Sequence, residues 1–234
     1  MGLRFFNLDC LQIQSREEKD MSFKFSSITS VTWAVVAACL INGIIIFILS
    51  KDKRRWNARM IANAALCIAL SFLLSCIRLY KLPQGGAITP ASMLPLFLFA
   101  YVYGLAPGIL TGAAYGFLQF IQDAYFVHPF ELLLDYPLAF AMLGLCALGR
   151  RFPEQWGMVP GIIIGTFGRF LCAFLSGLIF FGMYAPEGQN VFVYSAVYNG
   201  FYLIPEAVIC IVIALIPQIR KLAKQMALSD AAYR

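Results

Sequence analysis

The feature that most constrains this chain is its succession of apolar stretches, each close to the length of a membrane crossing. A crossing helix needs about 20 mostly apolar residues. Stretches of that kind lie at 28–50, 59–80, 106–123, 131–149, 158–184 and 193–217, with a shorter one at 91–103. Hydrocarbon admits only helices and closed barrels, because every backbone polar group must be satisfied internally. Seven apolar helical segments therefore predict an all-α integral membrane protein. Composition agrees, since 61% of residues are hydrophobic and only 13% charged, where a soluble domain carries about 25%. The net charge of +6 is scattered between apolar segments. It forms no continuous basic patch, and no nucleic-acid partner is expected.

Basic residues cluster at Lys51 to Arg59, at Arg150 and Arg151, and at Arg220, Lys221 and Lys224. Alternating segments place all three clusters on one side, which the positive-inside rule makes cytoplasmic, together with the carboxyl terminus. The opposite side then receives Arg78, Lys81, the 82–90 loop, His128 and the 185–192 loop. The polar run Lys51 to Arg55 is the one clear boundary. It separates a segment 1–57, with an extra helix at about 28–50, from a membrane domain 58–220 and a basic tail 221–234. Lys24 before an apolar stretch also fits a signal peptide, but no cleavage site interrupts the run past Cys39, which favours an uncleaved helix.

The seven cysteines form no C-x-x-C pair and accompany a single histidine, so they read as small apolar side chains and no metal site is expected. Neither a G-x-x-x-x-G-K-[ST] phosphate loop nor a G-x-G-x-x-G turn is present. The chain cannot hydrolyse ATP by itself. With His128 as the one histidine and no serine or cysteine offering a triad partner, neither catalysis nor a cofactor is expected.

Small residues recur at helical spacing. Gly104, Gly108, Gly112 and Gly116 share one face, and Gly157, Gly161 and Gly165 repeat the device. Such faces let helices approach closely where lipid supplies no hydrophobic drive. Ala65 and Ala69 form a smaller ridge that either packs inside the bundle or docks another membrane subunit.

Polar groups inside apolar runs mark candidate sites, because an ionisable group there costs roughly 2.5–3.5 kcal/mol on insertion scales. Asp135 is the foremost, read as a ligand anchor or as the ion-pair partner of Arg169. Tyr194, Tyr198 and Asn199 lie near the outer end of the last span, Glu206 deeper, and Tyr136, Phe180, Phe181 and Tyr184 around them. A carboxylate, an amide and several aromatic faces suit a planar, nitrogen-rich cation.

Four stretches carry a family resemblance: Pro83-Gln-Gly-Gly-Ala-Ile-Thr89 with Met93-Leu-Pro95; His128-Pro-Phe-Glu-Leu-Leu-Leu-Asp-Tyr136; Ser176-Gly177 with Phe180-Phe-Gly-Met-Tyr-Ala-Pro186; and Tyr194 to Asn199. From about 59 to 220 the chain resembles the thiamine-specific substrate-binding subunit of energy-coupling factor (ECF) transporters. The resemblance implies a six-helix bundle in a bacterial plasma membrane, here with one additional amino-terminal helix. It implies capture of thiamine or a close relative from outside, energised by a membrane scaffold subunit and two ATPase subunits. Asp135 then engages the aminopyrimidine, with Tyr136 beside it and Tyr194 and Asn199 as further pyrimidine contacts. Arg169, Gly177 and Phe181 complete the expected pocket, Gln84, Gly85 and Gly86 its lid, and Ala65 and Ala69 the scaffold-docking ridge.

Two departures stand out: Ala173 occupies a position where the family is expected to have histidine, and Phe181 one where some members have tryptophan. A self-sufficient ion-coupled carrier using Asp135, Arg169 and Glu206 as a relay is the alternative function, though no inverted repeat of the kind found in many such carriers is evident. A purely structural membrane subunit is a third.

Overall fold

The computed structural model describes residues 56–123, 129–153, 156–186 and 188–231. The expected helix at 28–50 and His128 lie outside them. Helix α1 (Ala58–Cys76) opens on Asn57, whose side chain accepts from the Met60 N–H at 2.7 Å. It buries one narrow stripe, Met60, Ala64, Cys67, Ser71 and Ser75, and leaves Ile61, Leu66, Leu70 and Leu73 exposed. Water would not tolerate that outer face; lipid requires it.

The 59–80 segment ends earlier than expected. After Ile77 the chain turns into a short antiparallel hairpin, β1 (Tyr80–Lys81) with β2 (Ala87–Ile88), pairing Tyr80 with Ile88 and Lys81 with Ala87. The hairpin turn runs through Pro83–Gly85, where Gly85 has φ +93°, a conformation open to glycine at no steric cost.

Helix α2 (Leu94–Tyr103) is only ten residues long, and every one except Tyr101 is buried. At 1.5 Å per residue it reaches about 15 Å, half the hydrocarbon thickness. Gly104, with φ +104°, ends α2 and starts α3 (Leu105–Gln122). It is thus a joint between helices and does not belong to the glycine face expected of it.

The next helix, α4, is irregular along its length. It begins as α-helix (Pro129–Leu133), widens into a π turn (Leu134–Leu138), recovers for Ala139–Ala141 and ends as a 3₁₀ helix (Met142–Arg151). Pro137 lacks an N–H and clashes with a regular helix, which accounts for the widened turn. Helices α5 (Val159–Phe180) and α6 (Val191–Ala214) follow, the latter capped by Asn190. Pro217 then opens α7 (Pro217–Ala231), whose Ile219, Ala223 and Met226 pack on the core. The stretch expected as a basic tail is helical as far as Ala231.

Two glycine faces grip α4 from opposite sides. A Cβ on Gly112 would stand 2.3 Å from the Phe140 carbonyl oxygen, and one on Gly116 2.5 Å from that of Tyr136. From α5, a Cβ on Gly161 would stand 2.3 Å from the Cys146 carbonyl oxygen, and Gly165 and Gly168 abut Leu143 and Met142. Gly168 completes this second face. Gly157 precedes α5 with φ +55° and instead packs beside Arg220.

Among the described residues, α1, α4, α5 and α6 are long and apolar enough to cross a membrane. The architecture is all-α and membrane-spanning.

Candidate substrate-binding cavity

The hairpin, the π turn of α4 and the facing parts of α5 and α6 enclose a cavity of about 150 Å³. One water needs only about 10–15 Å³, so the space suits an organic ligand. Its lining includes Asp135, Tyr136, Arg169, Gly177, Phe181, Tyr194 and Asn199, with Gly85 and Gly86 from the hairpin turn. Seven candidates scattered over 65 residues of sequence thus meet in one space. Gln84 lies in the turn Pro83–Gly85.

Asp135 stands within the π turn, and its Oδ2 accepts from the Ser176 hydroxyl of α5 at 2.7 Å. Gly116 is what admits that turn, since any side chain there would strike the Tyr136 backbone. The alternative reading of Asp135 as the ion-pair partner of Arg169 does not hold. Among the described residues no ion pair joins them, and the Arg169 guanidinium lies over the Phe140 ring, 4.1 Å from its centroid.

Asn199 is buried and fully engaged. Its amide donates to the Ser195 and Ala173 carbonyls at 2.9 and 3.2 Å, and its Oδ1 accepts from Tyr202 at 3.0 Å. Gly177 makes this junction possible, because a Cβ there would be 2.2 Å from Ser195 Oγ. Ala173, the departure from the expected histidine, also lines the cavity.

The hairpin is held over the cavity at three points. Tyr198 donates its hydroxyl to the Pro83 carbonyl and accepts from the Gly86 N–H at 3.2 Å. Thr89 and Ser92, where the hairpin leads into α2, both donate to the buried Glu206 carboxylate. Asp123, at the end of α3, pairs with Arg78 at 2.6 Å and Lys81 at 3.1 Å. Partial burial opposes the Asp123 carboxylate, but Lys81 and Arg78 outweigh it and hold its pKa below the ordinary value. Tyr136 donates to the Asp123 carbonyl at 2.9 Å, joining this anchor to the π turn.

Several lining residues escaped the sequence reading: Ser75, Arg78, Gln119, Glu131 and Tyr202. Glu131 had a signal, since it precedes Asp135 by one helical turn, and Tyr202 extends the Tyr194, Tyr198 series by four. Ser75 and Gln119 had none, for they meet only across α1 and α3, at 2.8 Å. The lining holds four carboxylates, Asp123, Glu131, Asp135 and Glu206, against two guanidiniums, Arg78 and Arg169. A chain of net charge +6 has gathered an acidic excess around one cavity. Ala65 and Ala69 lie elsewhere, on the exposed face of α1.

Fold and site together define a class: a multi-pass helical membrane protein with an acidic, aromatic-lined cavity beneath a short hairpin. Residues 61–226 match the family described as Thiamine transporter protein (Thia_YuaJ). The thiamine transporter ThiT of Bacillus subtilis (strain 168) is 33% identical over 145 residues, covering 57% of this chain and 75% of that one. ThiT of Lacticaseibacillus paracasei is 32% identical over 136 residues, covering 52% and 68%. The solved structure of ThiT from Listeria monocytogenes superposes with a TM-score of 0.63 at 22% identity, over 73% of this chain and 99% of that one, a likeness of fold. This chain belongs to the thiamine transporter family.

Proposed function

We propose that this chain is the membrane-embedded substrate-binding subunit of an ECF-type importer and that it captures thiamine, or a close relative, from the outer face. The observation that carries the reading is the Asp135 carboxylate, held on the cavity wall by a π turn and one serine, amid an excess of acidic groups and aromatic faces. Thiamine pairs a hydrogen-bonding aminopyrimidine with a cationic thiazolium. Asp135 accepts from the pyrimidine amine, while Tyr194, Tyr136 and Phe181 cover ring faces and the remaining carboxylates favour the cation. Asn199 sets the geometry of the α5–α6 junction and stands close enough to the cavity to exchange a partner for the ligand.

Gly85, Gly86 and Gln84 form the tip of a lid held by the Tyr198 contacts and, nearer its base, by the Glu206 and Asp123 anchors. The exposed Ala65 and Ala69 ridge is the docking face for the scaffold subunit, and two ATPases supply the energy that a chain without a phosphate loop lacks. The basic end, with Arg150, Arg151 and α7, faces the cytoplasm of a bacterium. The ion-carrier alternative is not favoured: its three relay groups go to separate partners, Asp135 to Ser176, Arg169 to Phe140 and Glu206 to Thr89 and Ser92.

Calorimetric titration of the purified chain with thiamine, its phosphate esters and the bare aminopyrimidine tests the reading. One-to-one thiamine binding is expected, weakened about 10- to 100-fold in Asp135→Asn, the worth of a hydrogen bond to a charged group. Equal binding by Asp135→Asn would remove its anchoring role, and silence from every ligand would sink the substrate assignment. Uptake by vesicles carrying the chain without scaffold and ATPase subunits would sink the ECF assignment alone.

A further inference from the structure

The hairpin returns to the bundle through Thr89-Pro90-Ala91-Ser92. Among the described residues this corner holds the one positive φ outside glycine: Ala91 has φ +64° and is only 2% exposed. A residue with a Cβ seldom takes that conformation, which lies above its ordinary wells in energy. Pro90 has a fixed φ and disfavours the helical region at Thr89, so a change of direction at the corner falls on Ala91. Two flanking hydroxyls hold Ala91 in place. Thr89 and Ser92 both donate to the buried Glu206 carboxylate, Ser92 at 2.8 Å, and their own oxygens lie 2.8 Å apart. The Ala91 N–H closes the corner on the Thr89 carbonyl at 2.9 Å.

Glu206 follows Tyr198 and Tyr202 at four-residue spacing on α6. The eight residues between Tyr198 and Glu206 span about 12 Å of helix. Their grips on the hairpin differ in kind. Tyr198 holds the tip through neutral bonds to Pro83 and Gly86, whereas Glu206 holds the base through buried bonds to a carboxylate. Charge-assisted bonds are the stronger. The Asp123 pairs on the other leg are partly exposed to solvent, a setting in which ion pairs contribute little. The tip therefore comes away first, and the hairpin turns about its base.

We propose that the Thr89–Ser92 corner is the pivot of the hairpin and that Glu206 is a positioning residue, which keeps Ala91 strained and so sets how long a substrate stays beneath. The proposal rests on reading the hairpin as a lid. Lifting breaks the Gly86 bond to Tyr198 and lets Ala91 fall back to an ordinary conformation, against the hold of Glu206. The Leu79 and Leu82 N–H groups, bonded to Ile88 and Gly86 inside the hairpin, keep their acceptors.

Hydrogen–deuterium exchange of the ligand-free chain in detergent, resolved at single amides, tests the pivot without any substrate. Glu206→Gln should speed exchange at Gly86 about tenfold, the worth of one hydrogen bond to a charged group, and leave Leu79 and Leu82 unchanged. Ser92→Ala keeps the carboxylate and should act in the same direction, which decides the matter if Glu206→Gln fails to fold. Ala91→Gly removes the strain that favours lifting and should slow Gly86 exchange about fivefold. Thiamine dissociation should follow the same order, faster in the first two variants and slower in the third. Equal acceleration at Leu79 and Leu82 would mean that the hairpin melts rather than turns, and overturns the pivot. Unchanged Gly86 exchange in Ser92→Ala, or exchange in Ala91→Gly that is not slowed, overturns it as well. Thiamine failing to bind would sink the substrate assignment alone, with the exchange rates still deciding the pivot.

Discussion

Helices α1 and α4 have nearly the same length and the same mean hydropathy, yet 28% of one and 56% of the other is buried. The first is a regular α-helix on the rim of the bundle; the second passes through π, α and 3₁₀ geometry between two neighbours. Hydropathy measures what a helix can dissolve in, and both can dissolve in lipid. What places α4 inside is the glycine on either side of it, which allows backbone contact that side chains would forbid. Dispersion over that contact replaces the hydrophobic drive that lipid lacks. The irregular backbone is tolerable for the same reason, because it is enclosed by protein rather than by hydrocarbon.

The sharpest way to break this contrast is Gly112→Ala, which places a Cβ 2.3 Å from the Phe140 carbonyl oxygen. The expected loss is about 3 kcal/mol, near the top of the overpacking range, read as a lower melting temperature in detergent; an unshifted transition would mean that α3 and α4 can separate freely. Pro137→Ala addresses the irregularity itself. With the N–H restored and the ring clash gone, the π turn should relax, and the Asp135 carboxylate should leave Ser176 while stability holds or rises. Thiamine affinity should fall about tenfold, part of the worth of a charged hydrogen bond; unchanged affinity would show that the turn does not aim the carboxylate. Smallest is Leu66→Ala on the lipid face of α1, expected to shift stability by no more than about 0.5 kcal/mol. A larger drop in melting temperature would mean that α1 is covered by something other than lipid.

Much of the fold was legible in sequence because spanning length and apolar content are local properties. The ends of α3, α5 and α6 fall within a few residues of expectation. Failures came where local pattern and packing part company. The run at 59–80 reads as one helix, but Ile77 to Tyr80 leave it to form the hairpin that covers the cavity. Gly104 fits the four-residue period of Gly108, Gly112 and Gly116, yet it is a joint between two helices, a use of glycine that spacing cannot distinguish from close packing. In the cavity, Asp135, Tyr194 and Asn199 were visible because polarity inside an apolar run is costly and so conspicuous. Ser75 and Gln119 were not, because a serine or glutamine in a helix carries no sign of what faces it.

By itself the sequence determined that the chain lives in a membrane as helices, and that a carboxylate and a series of tyrosines are held there at a cost. Family membership was equally readable, since it rests on ordered local motifs. Only the tertiary structure decided that Asp135 faces Ser176 rather than Arg169, that Ala65 and Ala69 look outward, and that four carboxylates gather under one hairpin. Those outcomes depend on which backbones can touch. That is a steric relation between segments far apart in the chain, and no window along the sequence contains both partners.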